Sequence, residues 1–336
     1  MTDGPWLVTG ASGFLGRHLL NQIEAAAAPR PSIALIRSPE AWHGMEWTGA
    51  LTRAETLTGS VTEPGPWTGD PRLEHLAGIF HLAALVRHSR RDAEAVRRTN
   101  IEGATSMVRL AARRRCRMVM VSTSGTVACF RDPAGSADEE SPFCEAEVSG
   151  WPYYVSKIEA EKQARRLAAE LGVELVIVRP PVLLGPGDHR FRSTNHVSRF
   201  LRGRLPFLVR GGMHFADVRD AARALVEAMT RRSARPVYHL PGTASSIEAF
   251  FRLTADVAGK RSPRVVLPFQ PAWWLARLTS GLGVLPDPVI IEMAAHYWGM
   301  TSRHAESDLG YRSRPARDTL HDTVTWLRAH HPALTS

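Results

Sequence analysis

Short, almost wholly apolar runs alternate along the first half of the chain with longer stretches whose apolar residues recur at helical spacing. Trp6-Leu7-Val8, Ser32 to Ile36, Gly78 to Ala84, Arg117 to Val121 and Val173 to Arg179 read as strands, and Leu57 to Val61 as the end of another. Between them, Arg17 to Ile23, Asp92 to Arg115 and Pro152 to Leu171 read as helices; Leu19, Leu20 and Ile23 recur at helical spacing, and Val96, Ile101, Met107, Val108 and Leu110 are among the apolar positions of the second. Strands alternating with helices predict an α/β fold built on a doubly wound parallel sheet, with ligands at the carboxyl ends of the strands. Residues 39–56 show no period, and residues 131–150, polar and broken by proline and glycine, read as a loop over the strand ends.

Beyond Pro180-Pro181 this regularity stops. Leu184-Gly185-Pro186-Gly187-Asp188 is a turn cluster and residues 189–214 are rich in arginine. Val218 to Met229 and Ser246 to Val257 read as helices, and Pro236 to Leu240 as a short strand. The expected division is a sheet domain over 1–180 and a smaller C-terminal lobe over 181–336, with some of its segments returning to the sheet.

The stretch Thr9-Gly10-Ala11-Ser12-Gly13-Phe14-Leu15-Gly16 lies between the first strand and the first helix. In that context glycines point to a dinucleotide: Gly10 for the tight turn, Gly13 for close approach of a pyrophosphate, Gly16 for close helix–strand packing. The first helical turn adds unpaired N–H groups and a partial positive charge. Tight packing alone also calls for glycine, so the pattern gains weight only with its surroundings. The second strand ends in Arg37-Ser38, where an acidic residue would accept the ribose hydroxyls of NAD. Arg37 suits a 2′-phosphate, favouring NADP(H) over NAD(H), although an arginine after a strand can simply be solvated. Small residues at Ala83 and Ala84 leave room for a flat cofactor.

Composition narrows the classes. Hydrophobic residues make up 44% and charged residues 22%, as in globular proteins. The formal charge is +9, but the arginines are scattered, and Arg113-Arg114-Arg115 at a helix end complements the helix dipole rather than marking a nucleic-acid partner. A polyanionic cofactor accounts for part of the basic balance. Cys116, Cys129 and Cys144 lack metal-type spacing, which points to a reducing compartment and no metal site. With no leader ahead of Trp6 and no apolar run of spanning length, the expected location is the cytoplasm.

Tyr153 and Lys157 stand four apart on one predicted helix and share a face. A free tyrosine has a pKa of roughly 10, and a nearby lysine cation is expected to lower it. Such a pair is also common on helix surfaces. Ser124, after the fifth strand, and Tyr153 are however expected at the same sheet edge as the glycine turn, which is what a hydride-transfer site needs.

Taken together, Thr9-Gly10-x-x-Gly13-x-x-Gly16, His81-x-Ala83-Ala84, Asn100-x-x-Gly103, Ser122-Thr123-Ser124, Tyr153-x-x-x-Lys157 and Arg179-Pro180 leading to Gly185-Pro186-Gly187 resemble the extended short-chain dehydrogenase/reductase family over nearly the whole chain. The resemblance implies a Rossmann-type doubly wound parallel sheet with a smaller C-terminal substrate lobe. It implies catalysis by Ser124, Tyr153 and Lys157: Tyr153 exchanges a proton with the substrate oxygen, Ser124 hydrogen-bonds that oxygen, and Lys157 also binds the nicotinamide ribose. The cofactor contacts it implies are Gly10, Ser12, Gly13, Phe14, Leu15, Gly16, Arg37, Ser60, Val61, Leu82, Ala83, Ala84, Asn100, Tyr153, Lys157, Pro180 and Val182. Ser60 departs from the family's usual aspartate, which puts the adenine contact there in doubt.

Pro268 to Leu275 and Val289 to Met293 resemble the apolar helical segments of the 3β-hydroxysteroid dehydrogenase and dihydroflavonol reductase branch, although Trp273 and Trp274 would also serve to pack the lobe. Two enzyme readings follow. The first is an NADP(H)-dependent ketone reductase or alcohol dehydrogenase whose small-molecule substrate is largely apolar. The second is a sugar-nucleotide epimerase or dehydratase with tightly bound NAD(P), for which Arg190, Arg192, Arg199, Arg202 or Arg204 would hold a second pyrophosphate. A non-enzymatic dinucleotide sensor is disfavoured by the Tyr153/Lys157 pair. A homodimer is left open.

Overall fold

The computed structural model describes residues 3–26, 28–279 and 285–331. Seven strands, β1 (Trp6–Thr9), β2 (Ser32–Ile36), β3 (Ala54–Thr58), β4 (Gly78–His81), β5 (Arg117–Val121), β6 (Leu175–Arg179) and β7 (Val237–His239), form one sheet in the order β7-β6-β5-β4-β1-β2-β3. Every pair in it is parallel. The order reverses beside β1, so β1 and β4 flank the switch point where a doubly wound sheet opens a crevice.

Alternation along the strands assigns each face its core. Trp6, Val8, Ala34, Ile36, Phe80 and Val119 face one cluster, under the helices Phe14–Glu24 and Val218–Thr230. Leu7, Ile33, Leu35, Ile79, Met118 and Met120 face the other, under Ala93–Arg114 and Pro152–Leu171. Both faces are buried, which is why the central strands carry unbroken apolar runs.

Several segments differ from the sequence expectation. The third strand spans Ala54–Thr58 and stops before Ser60-Val61; as an edge strand it buries only Leu57, so no apolar run marks it. The fourth stops at His81, leaving Leu82 to Ala84 as the chain's turn away from the sheet. Residues 39–56 are not irregular: Pro39–His43 is helical, capped by the Ser38 hydroxyl accepting from Ala41 N–H at 3.0 Å. Within 131–150, Glu145–Val148 forms a helical turn and Ser136–Ala137 pairs with Gly299–Met300.

After β6 the chain builds a second, three-stranded sheet in which Gly212–Asp217 lies parallel to Val182–Leu184 and antiparallel to Thr243–Ser246. The helices Asn195–Leu201, Ile247–Ala258 and Ala316–His330 pack on it around Phe215, Phe250 and Phe251. Val218–Thr230 and β7 then return to the large sheet. No helix among the described residues is long and apolar enough to cross a membrane. The three cysteines are free.

Candidate active site

The glycine turn, the end of β4 and the first helix meet at the switch point. Gly10 has φ +69°, and a Cβ there would lie 2.7 Å from the Ala83 amide nitrogen. A Cβ on Gly16 would lie 2.3 Å from the Gly10 carbonyl oxygen, so helix and turn touch backbone to backbone. Thr9 ties the turn to β4: its Oγ1 accepts from Ala83 N–H at 3.2 Å and lies 2.9 Å from His81 Nδ1, while its carbonyl accepts from Leu82 N–H at 3.2 Å. Burial and the Lys157 charge push His81 down to about 3, so it stays neutral.

The helix Phe14–Glu24 has Gly13 as its N-cap, no side-chain cap and no acidic residue in its first turn. Its first N–H groups therefore face the crevice without an internal acceptor, and the dipole there is uncompensated. These residues fit a pyrophosphate. Ser12 accepts a hydrogen bond from Arg190 at 3.2 Å, and Phe14 packs edge-on to His18 at 5.6 Å. Leu15 lies against the core under this face of the sheet. Arg37, exposed at the end of β2, makes no ion pair among the described residues.

Ser60 sits in a turn, with its Oγ 2.9 Å from Thr62 Oγ1 and its carbonyl accepting from the Trp67 indole at 3.0 Å. Val61 is buried against Gly103, where a Cβ would come within 2.9 Å of its methyl. Asn100 is 3% exposed and committed to the protein: Oδ1 accepts from Leu85 N–H at 2.7 Å, and Nδ2 donates to the Leu85 carbonyl at 3.3 Å and to Ser156 Oγ at 2.9 Å. Its place is thus a tether between the segment after β4 and the Tyr153 helix, rather than a free amide facing a ligand.

Ser124 lies in a short 3-10 turn after β5, and its N–H donates to the Pro180 carbonyl at 2.9 Å. The helix Pro152–Leu171 presses on this turn: a Cβ on Gly125 would sit 2.1 Å from the Tyr154 ring. Pro180 is therefore beside Ser124, whereas Val182 is 38% exposed on the smaller sheet. Ser124 follows β5, and Tyr153 and Lys157 lie on the helix that packs on its turn, yet no hydrogen bond joins the three among the described residues. Lys157 Nζ donates to the Val121 carbonyl at 2.7 Å. Burial, partly offset by Glu161, pulls its pKa down to about 8. Tyr153 does not show the lowered pKa expected from its spacing to Lys157. Burial pushes the phenol up to about 12, because removing it from water outweighs an ammonium turned toward Val121.

Sequence reasoning missed three neighbours. His88 packs edge-on to Tyr153 with ring centroids 5.5 Å apart, its Nδ1 buried without a partner among the described residues; burial lowers its pKa. No spacing signal marks it. Glu161, one turn beyond Lys157, continues the same helical face and was accessible to that logic. It is fully buried, accepts from Arg179 Nε at 3.2 Å and Arg165 Nη2 at 2.6 Å, and is held below the usual carboxylate range because Arg179 and Arg165 outweigh the effect of burial. Glu292 accepts from the indoles of Trp151 at 3.0 Å and Trp273 at 2.9 Å and pairs with Arg90 at 2.7 Å.

The two apolar segments separate. Val289 is buried in a cluster with Trp151, Tyr154 and Ile158, against which Met293, Trp298, Phe143 and Tyr153 itself also pack. Phe269 lines a different cavity of about 470 Å³ with Trp151, Glu292 and His296, and Trp274 and Leu275 are 55% and 43% exposed.

Comparison with known proteins places this architecture. The model of the NAD dependent epimerase/dehydratase family matches residues 6–240. The chain belongs to that family. Within it, the chain is 30% identical to a 4-hydroxy-2-methyl-3-oxo-4-farnesyl-3,4-dihydroquinoline-1-oxide ketoreductase of Stigmatella aurantiaca, covering 91% of each chain. It is 33% identical to the dihydroflavonol 4-reductase of Zea mays over 54% of each. The crystal structure of gox2253 superposes with a TM-score of 0.82 at 27% identity, covering 97% of this chain and 98% of that one. A dTDP-glucose 4,6-dehydratase from Bacillus anthracis in complex with NAD shares the fold, with a TM-score of 0.77 over 98% of each chain at 15% identity.

Proposed function

We propose that the chain is an NADP(H)-dependent oxidoreductase of the extended type that interconverts a ketone and a secondary alcohol on a largely apolar substrate. A nicotinamide cofactor held at the glycine turn would supply or take up the hydride. Tyr153 passes the proton to or from the substrate oxygen, Ser124 hydrogen-bonds that oxygen, and Lys157 binds the ribose. A phenol pushed up to about 12 stays protonated at neutral pH. That state suits ketone reduction, since the forming alkoxide is a stronger base than phenolate and takes the proton readily. Lys157, at about 8, remains mostly cationic at pH 7 and available to hydrogen-bond a ribose hydroxyl.

The observation that carries the reading is the placement of Tyr153 within an apolar wall that includes Val289, Met293 and Trp298. Burial of two or three large apolar substrate groups there would supply roughly 1.5–3 kcal/mol each. A relative whose substrate name contains a farnesyl group supports the same choice. Of the five arginines considered for a second pyrophosphate, two are engaged within the protein, Arg199 with the Arg204 carbonyl at 3.3 Å and Arg202 with Ser198 Oγ at 2.7 Å and His331 at 2.6 Å. Turnover of hydrophobic ketones with added NADPH, and a Michaelis constant nearly independent of salt, is the expected result. A sugar nucleotide bound through charge would lose affinity as salt rises.

Arg37, exposed and without a carboxylate partner among the described residues, is the residue proposed to select NADP(H). Arg37→Asp places like charge against a 2′-phosphate and is expected to shift the preference toward NADH by a factor on the order of ten or more. The ratio of kcat/KM for the two cofactors measures it. A native enzyme that uses NADH as well as NADPH contradicts the assignment.

A further inference from the structure

The segment following the Gly185-Pro186-Gly187 turn is held more firmly than a connecting loop requires. Asp188, 2% exposed, accepts on Oδ2 from Ser193 N–H at 2.9 Å, Thr194 N–H at 2.9 Å and Thr194 Oγ1 at 3.0 Å. Phe191 adopts φ +49°, a left-handed backbone uncommon outside glycine, and its ring is anchored against Trp326 at 6.0 Å and His331 at 4.5 Å. Arg190 and Arg192 flank that residue. Arg190 reaches back to the glycine turn, where its Nη2 donates to Ser12 Oγ at 3.2 Å.

Arg190 also feels the charges of Arg192 and Arg37, which, after burial, lower its pKa. None of the three forms an ion pair among the described residues, and Asp188, whose charge reaches Arg190, commits its Oδ2 to the loop itself. The ring of His189 lies beside them with both nitrogens buried, and among the described residues neither makes a hydrogen bond of normal geometry. Left-handed backbone at Phe191 and neighbouring guanidinium groups that form no ion pair among the described residues together describe a place suited to an anion.

We propose that this loop is the second half of a phosphomonoester site: Arg190, joined to the glycine turn through Ser12, and Arg37, at the end of β2, together hold the 2′-phosphate of NADP(H). The inference rests on the cofactor choice given above and adds a clamp contributed from beyond the large sheet. It explains why the chain fixes Phe191 in a left-handed conformation, since that bend turns Arg190 toward Ser12 while the ring stays in the lobe. A guanidinium presents two parallel donors to a phosphate, so lysine is only a partial substitute.

The test is direct binding of NADPH and NADH to the full chain, followed by quenching of its tryptophan fluorescence, for the native protein, Arg190→Gln and Arg190→Lys. Arg190→Gln is expected to weaken NADPH on the order of tenfold while changing NADH by less than about twofold, with Arg190→Lys between native and Gln. Retention of the native NADPH preference in Arg190→Gln overturns the clamp, as does an equal loss for both cofactors, which would put Arg190 on a group they share. A native protein that binds the two cofactors equally instead overturns the cofactor reading itself. An unchanged melting temperature in Arg190→Gln excludes a folding effect.

Discussion

Replacing Tyr153 with phenylalanine is expected to lower ketone turnover by a factor on the order of 10² or more, about 2.7 kcal/mol of transition-state stabilisation, while leaving the fold and cofactor affinity almost unchanged. The substitution removes one oxygen that makes no hydrogen bond among the described residues, so no partner is orphaned and no cavity forms. The ring keeps its edge-on contacts with His88 at 5.5 Å and Tyr154 at 5.3 Å. What disappears is the only proton proposed to reach the substrate oxygen. Single-turnover kinetics with NADPH separate this loss from product release. Near-native turnover with chemistry rate-limiting would remove Tyr153 from the mechanism.

The second large effect is on stability. Glu161→Gln leaves Arg179, 2% exposed, with an uncompensated buried charge and is expected to cost about 3–5 kcal/mol. Arg179 also contacts His239 Nε2 at 3.1 Å, and His239 Nδ1 lies 3.1 Å from the Thr301 carbonyl, so the network joins β6, β7 and the chain near Thr301. Its far end is Pro180, whose carbonyl holds Ser124 N–H; the same substitution should therefore loosen the Ser124 turn and reduce turnover in the molecules that remain folded. The pH dependence has a definite sign. Glu161 is held below its unfolded value of about 4.3, so its contribution is full above that pH and is lost as pH falls through the lower folded value. Denaturant unfolding of Glu161→Gln should show a lower midpoint at neutral pH and a flatter acid limb. Glu170→Gln, which removes an exposed pair with Arg166 at 3.6 Å, should shift stability by no more than about 0.5 kcal/mol. Equal effects for the two variants would contradict the role given to the buried network.

The contrast between legible and illegible features follows from range. Trp6 to Gly16 could be read because strand, turn and helix are set by neighbours in sequence, and the long helices because their apolar faces repeat. Ala54–Thr58 could not, since an edge strand needs only one buried side chain, Leu57, and its alternation is too short to stand out. The helix Pro39–His43 had a local signal in Ser38-Pro39, but Trp42 and Trp47, which pack on each other at 5.4 Å, obscured any period.

At the site, motif order singled out Ser124, Tyr153 and Lys157 as candidates, and helical spacing put the last two on one face. Spacing cannot say which way an ammonium turns. Lys157 points to Val121, and the phenol rises instead of falling. His88, Arg190 and the split between Phe269 and Val289 depend on contacts between segments 65 to 178 residues apart, for which a single chain offers no pattern.

The most direct test of the central claim is to supply purified protein with NADPH and a hydrophobic ketone and to measure cofactor oxidation and alcohol formation together. The proposed function predicts one NADPH oxidised per alcohol formed, with no turnover unless cofactor is added. Redox-neutral conversion of a sugar nucleotide by protein carrying its own cofactor, with no NADPH consumed on any apolar ketone, would contradict it.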